Sequence, residues 1–300
     1  MQLITEAQVA QALQGEAARA ALHQAFVQLG RGQAAVLPRG RADATHEGAA
    51  LTVSAMGAVL AGAGVLGTKV YSTRNGQFQF VITLFDAATG LPLVTLEANE
   101  LTRVRTSVTT ALAVDALAAP KVRGLALFGA GTQAQAHAEA LRPLRKFERV
   151  LVCARSGAAE FAARIGAEVV DAATAAAAAD VLVTCTRATE PLFDGGLVKP
   201  GALVAAVGSS KPTARELDDA LLARAAQVVV EWLPAAQTEA GELVLAAPGV
   251  LAPERLVELG SLLAAPPQPR DPQAIVVYKS VGIGLEDVAM AHLVYRKLKG

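Results

Sequence analysis

The chain has 300 residues, with 27 Lys and Arg against 27 Asp and Glu, so its formal net charge is zero at pH 7. That balance excludes a partner held mainly by counterion release, such as nucleic acid, and an aromatic content of 4% leaves few rings on which bases could stack. With 53% hydrophobic and 18% charged residues the chain is too apolar to stay disordered, and it is long enough for two cores.

Mean hydropathy is positive, yet the apolar runs at 172–179 and 201–208 fall far short of the roughly 20 residues that span a bilayer. Met1-Gln2-Leu3-Ile4-Thr5-Glu6 has no basic stretch, so no signal peptide is expected. Two cysteines and the scattered His23, His46, His137 and His292 offer neither a disulfide framework nor a metal-ligand cluster. The expectation is a soluble, cytoplasmic, metal-free protein that binds neither nucleic acid nor membrane.

In chain order, residues 5–30 place apolar side chains at helical spacing (Val9, Leu13, Ala17, Leu22, Phe26, Leu29), opened by Thr5 and Gln8 as a capping box. The stretch 30–48 is polar and rich in Gly and Arg, and reads as loop with room for an edge strand. From 50 to 96 short alternating runs are separated by Asn75-Gly76 and Thr89-Gly90, the pattern of an antiparallel meander. A helix follows over 99–117.

At Ala119-Pro120-Lys121 the pattern changes. Val- and Leu-rich strands at 124–129, 149–154, 168–170, 181–185, 201–207 and 228–231 now alternate with Ala-rich helices at 133–144, 158–165 and 172–179. That is the mark of a buried parallel sheet wrapped by crossovers. A Pro-rich linker at 265–269 precedes a strand at 275–279, a Gly-rich turn and a helix at 285–298.

The strand at 124–129 runs into Gly129-Ala130-Gly131-Thr132-Gln133-Ala134 and then a helix. The first glycine permits the tight turn, the second lets the backbone approach a pyrophosphate, and Ala134 permits close helix–strand packing. The helix N-terminus then offers free N–H groups to the anion. These six residues are the predicted dinucleotide-binding turn. The next strand ends Cys153-Ala154-Arg155-Ser156, with no acid before Glu160 to bind a ribose 2′-OH. Arg155 and Ser156 suit a 2′-phosphate, so NADPH is favoured over NADH; the plainer reading of Arg155 is a solvated charge at a strand end. Thr186, Ala188 and Val207 sit at or just past the ends of predicted parallel strands, where open α/β sheets bind ligands.

Several further stretches resemble the ornithine cyclodeaminase/mu-crystallin family, in order and along most of the chain. They are Leu37-Pro38-Arg39, Gly67-Thr68-Lys69-Val70, Leu101-Thr-Arg-Val-Arg105-Thr-Ser107, the glycine turn, Ala188-Thr-Glu-Pro-Leu192, Val198-Lys-Pro-Gly-Ala202, Arg215-Glu-Leu-Asp-Asp219 and Tyr278-Lys-Ser-Val-Gly-Ile-Gly-Leu-Glu-Asp287. The resemblance implies an α/β chain, with a Rossmann dinucleotide-binding domain inserted in an α+β substrate and dimerisation domain. The expected bounds are 1–118 for the substrate domain, 119–274 for the Rossmann domain and 275–300 for a C-terminal return to the first. A homodimer is implied as well.

By the same resemblance Arg39, Lys69 and Arg105 are the cations that meet the substrate, and Ser280 returns to the nicotinamide side. The chemistry of the side chains agrees: a carboxylate wants a planar guanidinium, and a compact ammonium suits a reacting nitrogen. Family members act on 2-amino or 2-imino acids. The expected reaction is NAD(P)H-dependent reduction of a cyclic ketimine carboxylate, Δ1-pyrroline-2-carboxylate or Δ1-piperideine-2-carboxylate, to proline or pipecolate.

Two alternatives stand beside it: an NAD-dependent ornithine cyclodeaminase, and a non-catalytic binder of NADPH and a small ligand. The cyclodeaminase branch places two carboxylates where this chain has Ser54 and Ser210, which turns the expectation toward reduction. The histidines read as surface or packing residues, and Trp232, Cys153 and Cys185, in or beside strands, read as core.

Overall fold

The computed structural model describes residues 2–13, 16–267 and 269–299. Its contacts divide the chain into two compact units, Met1–Thr109 with Gly282–Gly300, and Thr110–Val281.

The first unit begins with β1 (Gln2–Ile4), α1 (Glu6–Ala12) and α2 (Ala17–Gly30). The meander follows as β2 (Ala34–His46), β3 (Ala49–Leu60), β4 (Val65–Arg74), β5 (Gln77–Asp86) and β6 (Pro92–Glu97). Strands β2 to β6 pair antiparallel in sequence order, and β1 adds parallel to β6. Alternation decides the faces. In β4, Val65, Gly67, Lys69 and Tyr71 are buried, while Val70 and Ser72 face outward. Helix α3 (Asn99–Leu117) starts in this unit and ends in the other.

The last helix, α11 (Gly284–Lys299), packs on β3, β4 and β5 and buries its first turns completely. Two glycines permit this. A Cβ on Gly284 would collide with the backbone of Gly57, and one on Gly67 would stand 2.6 Å from the Thr83 carbonyl oxygen and 3.4 Å from Val288. The helix therefore starts directly over the middle of the sheet, beside Lys69.

The second unit runs β7 (Gly124–Phe128), α4 (Thr132–Leu141), β8 (Arg149–Cys153), α5 (Ala158–Ile165), β9 (Glu168–Val169), α6 (Ala172–Ala178), β10 (Val181–Thr184) and β11 (Leu203–Ala206). It continues with α7 (Asp219–Arg224), β12 (Ala225–Val230), α8 (Leu233–Glu239), α9 (Gly241–Val244), β13 (Leu256–Glu258), α10 (Leu259–Ala264) and β14 (Ile275–Lys279). The strands form an eight-stranded sheet in the order β13-β12-β14-β11-β10-β7-β8-β9, and every neighbouring pair is parallel. Every residue of β7, β10, β11 and β14 is buried, which is why these strands read as unbroken apolar runs instead of alternating ones.

Several expectations are corrected here. The helix over 5–30 is two helices, α1 and α2, and the polar stretch at 30–48 is mostly the edge strand β2. The strand at 275–279 does not return to the first unit: β14 lies between β11 and β12 in the second sheet, and the return starts at Gly282. All five of its residues are buried, so its backbone needs a hydrogen-bonding neighbour on both sides. The first boundary falls at Thr109, inside α3, instead of at 118. Trp232 is half-buried at the N-cap of α8 and is not part of the core.

Candidate active site

In the first unit the structure brings Arg39, Lys69 and Arg105 into one cluster with two acids from the first turn of α11. Lys69 projects from β4 and is 2% exposed, and its ammonium lies 2.8 Å from both Asp287 carboxylate oxygens. Arg105 on α3 donates Nη1–H to Glu286 Oε2 at 2.6 Å, and its Nε lies 3.4 Å from Asp287 Oδ1. Glu286 also accepts from the Ile283 amide at 3.0 Å and the Thr109 hydroxyl at 3.2 Å. Arg39, half-buried on β2, donates to the Gly282 carbonyl at 2.7 Å and directs its Nε toward the Met56 sulfur at 3.4 Å. The Arg105 guanidinium occupies the space a Cβ on Gly282 would need.

Charge decides what this cluster can do. The three cations face two fully buried acids, leaving one positive charge in surroundings of low dielectric. Burial above all, together with the neighbouring Arg105 and Arg39, lowers the Lys69 pKa from 10.5 to about 8, although Asp287 pulls it the other way. Lys69 therefore keeps its proton at neutral pH yet gives it up far more readily than a surface lysine. The rings of Phe80 and Tyr71 lie 5.2 and 5.9 Å from the ammonium. Ser54, 2% exposed, shares this face of the sheet, since Met56 pairs with Lys69 and Ser54 with Tyr71.

In the second unit β7 ends at the predicted glycine turn. Gly129 has φ +113°, a conformation that favours glycine, and its Cβ would stand 2.9 Å from the Cys185 carbonyl oxygen. Gly131 is the N-cap of α4, and no side chain caps that helix. A Cβ there would meet no protein atom within 4 Å, so the backbone is open to an incoming group. Ala130 is half-buried, Thr132 is exposed and Ala134 is buried against the sheet. Gln133 gives its carbonyl to the His137 ring at 2.7 Å. These features suit a pyrophosphate at the helix N-terminus.

Arg155 and Ser156 are exposed in the turn between β8 and α5, and that turn lies beside the first, with a Cβ on Gly157 reaching Ala130 at 3.7 Å. Among the described residues Arg155 makes no side-chain hydrogen bond or ion pair. The end of β8 carries no carboxylate.

The loops after β10 and β11 are held by an acid that sequence reasoning did not single out. Glu216 is fully buried. Its carboxylate accepts from the Thr186 amide and hydroxyl at 2.8 and 2.7 Å, the Thr184 hydroxyl at 2.7 Å and the Gly208 amide at 2.8 Å. The Thr186 hydroxyl in turn accepts from the Ala188 amide at 3.1 Å. Thr186, Ala188 and Val207 thus follow the C-terminal ends of the interior strands β10 and β11, and Ser210 lies half-buried on the same connection as Val207. Lys279 bonds Glu242 and the Ser209 carbonyl, both at 2.9 Å. Ser280 is buried and gives its hydroxyl to Glu231 at 2.5 Å, while Glu231 also receives the Val281 amide at 2.9 Å. Ser280 is therefore already bonded to Glu231.

His137 is packing, as expected: it is buried, and burial pulls its pKa down to about 4. Of the buried acids, Glu286, Asp287 and Glu216 lie within stretches that resemble the family but carry no expected role, and Glu231 and Glu242 fall outside them. The signal was there for the α11 pair, since two adjacent acids interrupt an otherwise apolar stretch, Ile283 to Ala291.

A parallel sheet with this turn, carried with a buried cluster of cations, defines an NAD(P)H-dependent oxidoreductase. A profile of the ornithine cyclodeaminase/mu-crystallin family matches residues 1–300. Ketimine reductase mu-crystallin of Mus musculus is 35% identical over 229 residues, which cover 75% of this chain and 71% of that one. The crystal structure of a probable ornithine cyclodeaminase from Bordetella pertussis Tohama I superposes with a TM-score of 0.95 at 47% identity, covering 99% of this chain and 97% of the other. Thermococcus litoralis Δ1-pyrroline-2-carboxylate reductase, in complex with NADH and L-proline, gives a TM-score of 0.90 at 26% identity over 100% and 98% of the two chains. The chain belongs to the ornithine cyclodeaminase/mu-crystallin family. Among the described residues no helix is long and apolar enough to cross a membrane.

Proposed function

We propose that the chain reduces the C=N bond of a cyclic 2-imino acid, Δ1-pyrroline-2-carboxylate or Δ1-piperideine-2-carboxylate, to the cyclic amino acid. The observation that carries this reading is the single surplus positive charge of the Arg39, Lys69 and Arg105 cluster over Glu286 and Asp287, which one substrate carboxylate would neutralise. The names of the mouse and Thermococcus relatives support the same reaction class.

Arg105 and Arg39 are the groups for the carboxylate. Lys69 is the group for the nitrogen: its N–H bond breaks as the new N–H bond forms, so hydride addition at C2 leaves a neutral amine instead of an amide anion. Water then restores the lysine proton. The bound dinucleotide supplies the hydride. Gly129 to Ala134 would hold its pyrophosphate and Arg155 with Ser156 a 2′-phosphate, which favours NADPH. Thr186, Ala188, Val207 and Ser280 would line the rest of its path, and Ser210, in place of the cyclodeaminase carboxylate, would stand with the catalytic residues.

Cyclodeamination of ornithine needs further acids near the two nitrogens, and at the two positions of interest this chain has hydroxyls, Ser54 and Ser210, which are far weaker bases than carboxylates at neutral pH. A homodimer is part of the reading. The outward face of the six-stranded sheet exposes Val53, Val59, Val70 and Val81 at 51, 40, 43 and 42%, an apolar surface suited to a second copy.

The test is cofactor oxidation on a panel of cyclic and linear imino acids, alongside incubation with L-ornithine and NAD. Rapid NADPH oxidation on a cyclic imine with no ammonia from ornithine supports the reading. Sustained release of ammonia and proline from ornithine refutes it.

A further inference from the structure

We propose that the two adjacent acids opening α11 have separate tasks: Asp287 positions the Lys69 ammonium and holds its proton, whereas Glu286 fixes the Arg105 guanidinium for the substrate carboxylate. The proposal rests on the imine-reductase reading. Both acids are positioning residues, acting through the cations they touch.

The geometry separates the two. Each Asp287 oxygen lies 2.8 Å from the Lys69 nitrogen, and both groups are out of water, 0 and 2% exposed. An ammonium has three N–H groups. Asp287 takes at most two of them, and among the described residues no other hydrogen-bond acceptor reaches Lys69, so one N–H is left for the imine nitrogen. Glu286 does not bond Lys69. Its oxygens are taken by Arg105, Thr109 and the Ile283 amide. Asp287 lies 3.4 Å from Arg105 Nε, a looser contact than the 2.6 Å bond by which Glu286 holds Nη1.

The charged and titratable groups facing Lys69 are Arg39 from β2, Tyr71 from β4, Arg105 from α3 and Asp287 from α11, with Glu286 beyond Arg105. Among the described residues only Asp287 favours the protonated lysine directly, because both arginines oppose it. Replacing the Asp287 charge removes the one contact that keeps the proton on Lys69 at neutral pH. Replacing Glu286 leaves that contact in place and releases Arg105.

The experiment follows the Lys69 titration by NMR of protein carrying isotope-labelled lysine, assigned with Lys69→Arg. It is repeated in Asp287→Asn, Asp287→Glu and Glu286→Gln, with thermal melting to confirm folding and with kcat and KM measured across pH. In the wild type kcat is expected to fall as pH rises through about 8, where Lys69 loses its proton. Asp287→Asn is expected to move both the titration midpoint and this limb down by about one unit, a tenfold loss of proton affinity, with KM changed less than threefold. Glu286→Gln is expected to raise KM about tenfold or more and leave the midpoint in place.

Asp287→Glu keeps the charge on a longer arm, so the midpoint stays while kcat falls; it carries the test if the Asn variant does not fold. An unmoved midpoint in Asp287→Asn, an equal shift in Glu286→Gln, or an unchanged kcat in Asp287→Glu overturns the proposal. If the midpoint moves as expected but no imino acid is reduced even by the wild type, the reductase reading fails while the Asp287–Lys69 coupling stands.

Discussion

Removing Arg105 should damage the fold and the chemistry at once, and the two losses can be separated. Its side chain is 9% exposed and its partner Glu286 is 0% exposed, with 2.6 Å between them. Arg105→Met takes from the buried Glu286 carboxylate its 2.6 Å cationic partner, and breaking one side of such a pair costs about 3–5 kcal/mol. For a chain of this size that corresponds to a fall in Tm of roughly 5–8 °C. Adding Glu286→Gln removes the stranded charge and keeps an acceptor for the Ile283 amide, so most of the lost stability should return. Activity should not return, because the guanidinium for the substrate carboxylate is still missing. Both variants should show kcat/KM for the imino acid down by roughly 10²–10³-fold, the counterpart of about 3–4 kcal/mol of lost charge-assisted binding. Calorimetry and steady-state kinetics on the two variants decide it. A single variant that melts with the wild type, or a double variant that recovers activity, would refute the reasoning.

Three further outcomes are expected. Gly131→Val fills the open space at the N-cap of α4 and should cut dinucleotide affinity at least tenfold by fluorescence titration, while the far-UV circular dichroism stays native. Arg155→Ala should lower the kcat/KM ratio of NADPH to NADH about tenfold; an unchanged ratio would show that the exposed guanidinium does not meet the 2′-phosphate. His137 is neutral in the fold and its pKa is held near 4, against 6.5 when unfolded. The unfolded state therefore binds the proton first, and about 3 kcal/mol of stability is lost as pH falls from about 6.5 to 4. His137→Gln should flatten that part of the Tm–pH curve.

Much of the second unit was legible in the sequence because its signals are local. A strand buried on both faces must be a run of Val, Leu and Ala, and Gly129, Gly131 and Ala134 are dictated by backbone geometry within six residues. The meander from β3 to β6 was equally plain, since its turns carry Asn75-Gly76 and Thr89-Gly90. What was not legible depends on distant partners. Nothing local in Ile275-Val-Val-Tyr-Lys279 says which sheet receives it, and only the gap between β11 and β12 settles that. The residue class of Lys69 and Arg105 was visible, but which acids they pair with was not, because Asp287 lies 218 positions from Lys69 and Glu286 lies 181 from Arg105. Gly284 looked like an ordinary turn residue. Its role is to let α11 touch the backbone of Gly57, and that contact delivers the two acids to the cluster.

The most direct measurement of the central claim is transfer of the hydride itself. The protein is incubated with Δ1-pyrroline-2-carboxylate and NADPH carrying deuterium at both C4 positions of the nicotinamide, in ordinary water, and the product is read by mass spectrometry and proton NMR. The account predicts L-proline carrying one deuterium at C2 in proportion to the NADPH consumed, with the nitrogen proton from water. Unlabelled proline, or no proline with the NADPH intact on both the five- and six-membered imines, would contradict it.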